Sequence, residues 1–135
     1  VTEPISALIW VWYGADEKSK IESTFNLGNS LWQLALTPKE KNETIPGCMY
    51  CELTNQYFGR DTDFLEVCSG DVENGLVVII NEISRTLEDL PSEEAVCFSS
   101  TIFSHPGWLK VQELSSQALK IMNWAEISIY ECELS

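Results

Sequence analysis

Between Asp71 and Pro91, six apolar residues recur at steps of three and four: Val72, Leu76, Ile80, Ile83, Leu87 and Leu90. No other pattern in the chain restricts the fold as tightly. It keeps one face of a helix apolar over several turns, although the central run LVVII, taken alone, reads as strand. Asp71 is a candidate N-cap and Pro91 stops the pattern, so the spacing predicts a helix here, with Gly75 costing it about 1 kcal/mol.

The flanking segments predict strands. SALIWVWYG (6–14) is a dense run of β-formers ending at glycine. Asp16 can cap a following helix carrying Ile21 and Phe25 on one face, with a break at Gly28 and a second helical piece over 29–36. TPKEKNETIPG (37–47) reads as a polar loop. Alternation of Met49, Cys51 and Leu53 against Tyr50, Glu52 and Thr54, then the turn GRDT and the run DFLEVCS, predicts a β-hairpin over 49–69. EEAVCFSSTIFS (93–104) predicts a strand. Residues 105–124 predict a helix with Leu114, Ala118, Ile121 and Met122 on one face. AEISIYECEL (125–134) predicts a closing strand. The expected architecture is a single α+β domain over residues 1–135. It has a mainly antiparallel or mixed sheet of about five strands, packed with three to four helices.

The 135 residues suffice for one core, and five tryptophans supply much of its buried area. Twenty-one acidic residues face eight basic ones, a formal charge of −13. That field repels nucleic acid and anionic membrane surfaces and steers in a basic protein. No apolar run approaches the roughly 18–20 residues of a membrane span, and no secretory signal opens the chain. Five scattered cysteines, an odd number, read as reduced thiols of a cytoplasmic protein, packing as small apolar residues. Cys48 and Cys51 form a CxxC with neither a following helix signal nor a second pair, so zinc and redox roles lack support. His105 has no recognisable nucleophile partner, and no phosphate-binding glycine loop is present. No catalytic set and no cofactor is expected.

Charge is unevenly placed. Ten carboxylates and one cation, Arg85, lie between Asp61 and Glu94. The stretch YFGRDTDFLEVCSGD (57–71) concentrates them. Asp61-Thr62-Asp63 has a spacing that suits magnesium, and Asp61, Asp63 and Glu66 could serve a magnesium-dependent hydrolase. On a strand, however, Asp63 faces with Leu65 and Val67 while Glu66 points away, which undercuts a shared ion. The better reading is an acidic docking surface comprising Tyr57, Asp61, Asp63, Glu66, Asp71, Glu73, Glu82, Glu88 and Asp89. Tyr57, Phe58 and Phe64 are candidate anchors, Phe64 being the one best suited to the core.

Two segments together, LIWVWYG (8–14) before an acidic helix and YFGRDTDFLEV (57–67), resemble the immunity protein 22 family of bacterial polymorphic toxin systems. The similarity covers the first half of the chain, with Asp63, Phe64 and Glu66 in its acidic motif. It implies a non-enzymatic cytoplasmic antidote whose partner is a cognate toxin C-terminal domain, a nuclease with a basic cleft. The extra cysteines and the Gly59-Arg60 turn depart from the family pattern. A third class is a phage-type nucleic-acid mimic that inhibits a DNA-binding protein.

Overall fold

A computed structural model describes residues 3–44, 49–97, 99 and 101–134. Among them there is no strand. The described residues form eight helices, α1 (Ile5–Gly14), α2 (Lys18–Ala35), α3 (Pro38–Thr44), α4 (Met49–Cys68), α5 (Asn74–Glu88), α6 (Pro106–Ile121), α7 (Trp124–Ile127) and α8 (Glu131–Leu134). Short 3-10 turns occupy Ser92–Glu94, Ile102–Ser104 and Ser128–Tyr130. The expected α+β fold with its five-stranded sheet is therefore wrong: the chain is all-α. Among the described residues no helix is long and apolar enough to cross a membrane.

Helix α2 packs on both α4 and α6, α5 packs on α6 and touches α4, and α1 lies against α2. The four long helices thus close a ring around one continuous apolar core. The amphipathic run at 72–90 forms α5 as its spacing predicts, with Leu76, Ile80, Ile83 and Leu87 buried. Its N-cap is Glu73 rather than Asp71, and Gly75 falls in the first turn.

Each predicted strand fails for a physical reason. In α1, Ile5, Leu8, Ile9 and Trp12 are buried at helical spacing, while Trp10, Val11 and Tyr13 are exposed. The run is apolar all round, so its period is masked. In place of the hairpin at 49–69, α4 buries Leu53, Tyr57, Phe64 and Cys68. The helix is interrupted where Phe58 turns extended and Gly59 adopts φ +103, a left-handed conformation suited to glycine. The described residues of 93–104, which leave out 98 and 100, and those of 125–134 carry 3-10 and short α-helical turns rather than strands.

Helix α2 does not break at Gly28. The absent side chain makes a notch in which the Trp124 ring rests against the helix backbone. Asn123, at φ 55, turns the chain after α6 so that Trp124 reaches this notch; asparagine tolerates that left-handed conformation. Trp124 also packs against Phe25, with ring centroids 6.0 Å apart.

Residues 37–44 are not a loop. Thr37 N–H donates to Glu40 Oε1 (3.0 Å) and Glu40 N–H donates to Thr37 Oγ1 (3.2 Å). This is a reciprocal capping box with Pro38 at the first helical position. Helix α3 so started delivers Lys41 into the core, where it is fully buried. Its Nζ donates to the carbonyls of Leu34 (2.8 Å) and Leu36 (2.7 Å), closing the C-terminus of α2. Burial pushes the ammonium down to about 8, against the smaller opposing pull of Glu40.

A base depressed on folding gives a definite pH dependence. Below about 8 Lys41 is charged in both states; between about 8 and 10.5 it is neutral only when folded, so the unfolded chain binds more protons. Lys41 therefore adds stability as pH rises across that window, on the order of 2–3 kcal/mol in total. Urea titrations from pH 7 to 10.5 should show a rise relative to Lys41→Met, whose own profile lacks it. Parallel profiles for the two proteins would refute the buried ammonium.

Candidate functional site

Of the nine residues expected to form one acidic surface, seven separate into three groups, and Glu73 and Glu88 stand apart from them. Tyr57 and Asp61 are inside. Tyr57 is fully buried, its hydroxyl 3.0 Å from both the Ile80 carbonyl and Ser84 Oγ. Burial raises its pKa above the ordinary tyrosine range, so the hydroxyl stays protonated. Asp61 is only 6% exposed. Its Oδ1 accepts from Gly59 N–H (3.1 Å) and Thr62 N–H (2.7 Å), and Oδ2 accepts from Ser84 Oγ (2.7 Å). The carboxylate thus pairs N–H groups left open at the break, within the first turn of the restarted helix, and ties α4 to α5. The expected outward placement of these two residues is corrected accordingly.

The second group is neutralised within the chain. Asp71 accepts from Lys20 Nζ at 2.7 Å, and the same ammonium lies 3.2 Å from Glu17. The hydrogen bond to Asp71, then that to Glu17, raises the Lys20 pKa. Glu82 pairs with Lys110 at 2.8 Å and Arg85 at 3.4 Å, and Lys110 is the main cause of its lowered pKa. Asp89 lines the same shallow groove as Glu82, Arg85 and Lys110, so its surroundings are mixed in sign. Glu73 and Glu88 are exposed near the two ends of α5.

Asp63 and Glu66 form the third group. Three residues apart on a helix, they share a face, whereas a strand would have opposed them. Both are exposed and line a groove of about 290 Å³ with Ser19, Glu22, Ser23 and Asn26. Those four α2 residues stand at i, i+3, i+4 and i+7, a polar stripe opposite the apolar face of Ile21, Phe25 and Gly28. Among the described residues no lysine or arginine lies within ion-pair distance of Glu22, Asp63 or Glu66.

Glu22 and Asn26 also line a second groove, of about 590 Å³, with Tyr13, Lys18, Glu131 and Glu133, floored by Phe25 and Leu134. The two grooves adjoin along α2, with Glu22 and Asn26 as their shared wall, and together make an acidic trough on the two flanks of that helix. Its walls carry five carboxylates, Glu22, Asp63, Glu66, Glu131 and Glu133, and Lys18 is the cation on its rim. Asn29 donates to both Glu131 oxygens at 3.2 Å, orienting that carboxylate. At one end Tyr13 stands beside Trp10, which packs edge-on against Tyr130 with centroids 5.1 Å apart. Trp10 and Tyr13 are 46% and 54% exposed, a large aromatic area left to solvent next to an anionic groove.

Sequence reading missed Glu22, Glu131, Glu133 and the aromatic end. A helical wheel over 19–26 would have exposed the α2 stripe. Nothing in the sequence places α8 beside α2. A different groove, of about 660 Å³, sets Trp32, Leu119 and Trp124 beside Lys120, Asn123 and Glu126, so its lining is mixed and not of one charge sign.

The described residues contain no group of three or more His, Cys, Asp or Glu able to hold a metal ion. Asp61 faces Ser84 and so does not join Asp63 and Glu66. Cys48 lies outside the described residues. Of the other cysteines, Cys68 is buried, Cys51 is half-buried, and Cys97 and Cys132 are exposed, so packing explains Cys68 but not the last two. No protein family model, no curated protein and no solved structure matches the chain.

Proposed function

We propose that this protein is a non-enzymatic binding protein that captures a basic protein surface in the trough between α2, α4 and α8. The observation that carries this reading is the gathering of five carboxylates along two adjoining grooves, the second of which reaches exposed Tyr13 with Trp10 beside it. Carboxylates of one sign draw in a cationic partner and set its orientation. Aromatic side chains at the end of such a groove supply the desolvated anchor that charge alone lacks. The partner class that fits is a toxin domain with a basic, nucleic-acid-binding cleft, and the chain then acts as its cytoplasmic immunity protein. This reading stands on the surface and not on the fold, because LIWVWYG, which suggested a family strand, is helical.

The variant Asp63→Lys with Glu66→Lys reverses the charge of one wall while leaving the core untouched. Against the product of the neighbouring reading frame, its association rate at low salt is expected to fall about tenfold or more. The loss should shrink as salt is raised past about 0.15 M. Stopped-flow binding measures both, and a double variant that associates at the parent rate removes the trough from the interface. A partner from a phage operon, or one that binds DNA, would point to the nucleic-acid-mimic class instead.

A further inference from the structure

Two thiols from distant parts of the chain meet at the surface. Cys51 Sγ, in the first turn of α4, and Cys97 Sγ, after the turn at Ser92–Glu94, lie 3.2 Å apart across a sequence separation of 46. Bonded sulfurs stand about 2.0 Å apart, so closure needs an approach of only about 1 Å. Cys97 is exposed and Cys51 half-buried, an arrangement in which one thiol meets reagents first and the other waits beside it. Cys68, by contrast, is enclosed in the core, and burial pushes its thiol up to about 12.

We propose that Cys51 and Cys97 form a modification site, an intrachain disulfide made and broken by exchange with low-molecular-weight disulfides. The Cys97 thiolate attacks one sulfur of the reagent, forming a mixed disulfide and expelling one thiolate. The Cys51 thiolate then attacks the Cys97 sulfur, forming the intrachain bond and expelling the second thiolate. The two expelled thiolates take up the two protons that the cysteines lost. Both cysteines are oxidised, one reagent disulfide is reduced to two thiols, and excess thiol reverses the sequence. The bond fastens the segment after Pro91 to the start of α4 and closes a long loop of the unfolded chain, which stabilises the fold. This site is independent of the acidic trough and of any partner.

The test uses the full chain and oxidised glutathione at pH 8, followed by acid quench, alkylation and peptide mapping by mass spectrometry. The expected product is monomeric, lighter by two hydrogens, with Cys51 linked to Cys97. Its melting temperature is expected to rise by several degrees and to return when reductant is added. Cys51→Ser should trap glutathione on Cys97, because the resolving thiol is gone. Cys97→Ser, a change at an exposed position, should show no melting shift on oxidation. A cross-link from Cys51 to Cys48, an intermolecular dimer through Cys97, or stable glutathione on Cys97 in the parent chain would overturn the proposal.

Discussion

Gly28→Ala is expected to destabilise the protein by about 3 kcal/mol, although alanine is the better helix former. At an ordinary position inside an 18-residue helix the exchange would gain about 1 kcal/mol. Here the added methyl falls on the Trp124 ring, pressing on Cζ3 and lying 2.5 Å from both Cε3 and Cη2. Neither side can give way easily: one is helix backbone, the other a flat indole held by Phe25 and the left-handed turn at Asn123. Overpacking of this kind costs about 1–3 kcal/mol, occasionally more. Urea unfolding followed by circular dichroism measures it. The decisive comparison is Gly28→Ala in a Trp124→Ala background. With the ring removed, the same methyl should be neutral or favourable, giving a coupling of about 3–4 kcal/mol. An equal penalty in both backgrounds would mean that Trp124 does not occupy the notch.

Asp61→Ala is expected to cost about 2–3 kcal/mol, and Asp61→Asn clearly less. The carboxylate accepts two backbone N–H groups that the break at Gly59 would leave unpaired, and it also accepts from Ser84. Removing a buried acceptor strands its donors, at about 1–3 kcal/mol. Asparagine keeps an oxygen for the backbone groups and offers its amide to Ser84, whose hydroxyl can accept. The same measurements on Asp63→Ala should show little change, since Asp63 is exposed. Similar small losses at 61 and 63 would place Asp61 on the surface after all. The pair separates a carboxylate that holds the fold from one that faces solvent two residues away.

These neighbours also show what the sequence made legible. Helix α5 could be read because one side of it meets the core and the other meets water. Helix α1 could not, because Trp10, Val11 and Tyr13 are apolar yet exposed, so burial leaves no period in the sequence. In α4 the spacing from Leu53 to Tyr57 and from Phe64 to Cys68 is helical. The break at Phe58 and Gly59 sits between these pairs, so a turn between two strands was an equally simple reading. That single choice of period carried the error into the site. It opposed Asp63 to Glu66 and turned Asp61 outward, where the helix does the reverse. The capping box in TPKE was legible from Thr37 and Glu40 but hidden by the prolines and glycine around it. The meeting of Glu22 with Glu131 and Glu133 depends on how α8 folds back, which no local pattern encodes.

The notch at Gly28 also bears on the order in which the structure can be assembled. Its occupant, Trp124, emerges from the ribosome 96 residues after it, counting from 28 to 124. The α2–α6 packing is similarly distant in sequence, whereas α4, α5 and α6 follow one another and can pair as they appear. During synthesis the apolar face of α2 can meet α4 early but cannot be capped by Trp124 until the turn after α6 has been made. Closing the ring is then expected to be the slow, high-contact-order step of folding. While the residues between Gly28 and Trp124 are being added, the nascent chain leaves a strip of α2 uncovered, the kind of surface that chaperones guard.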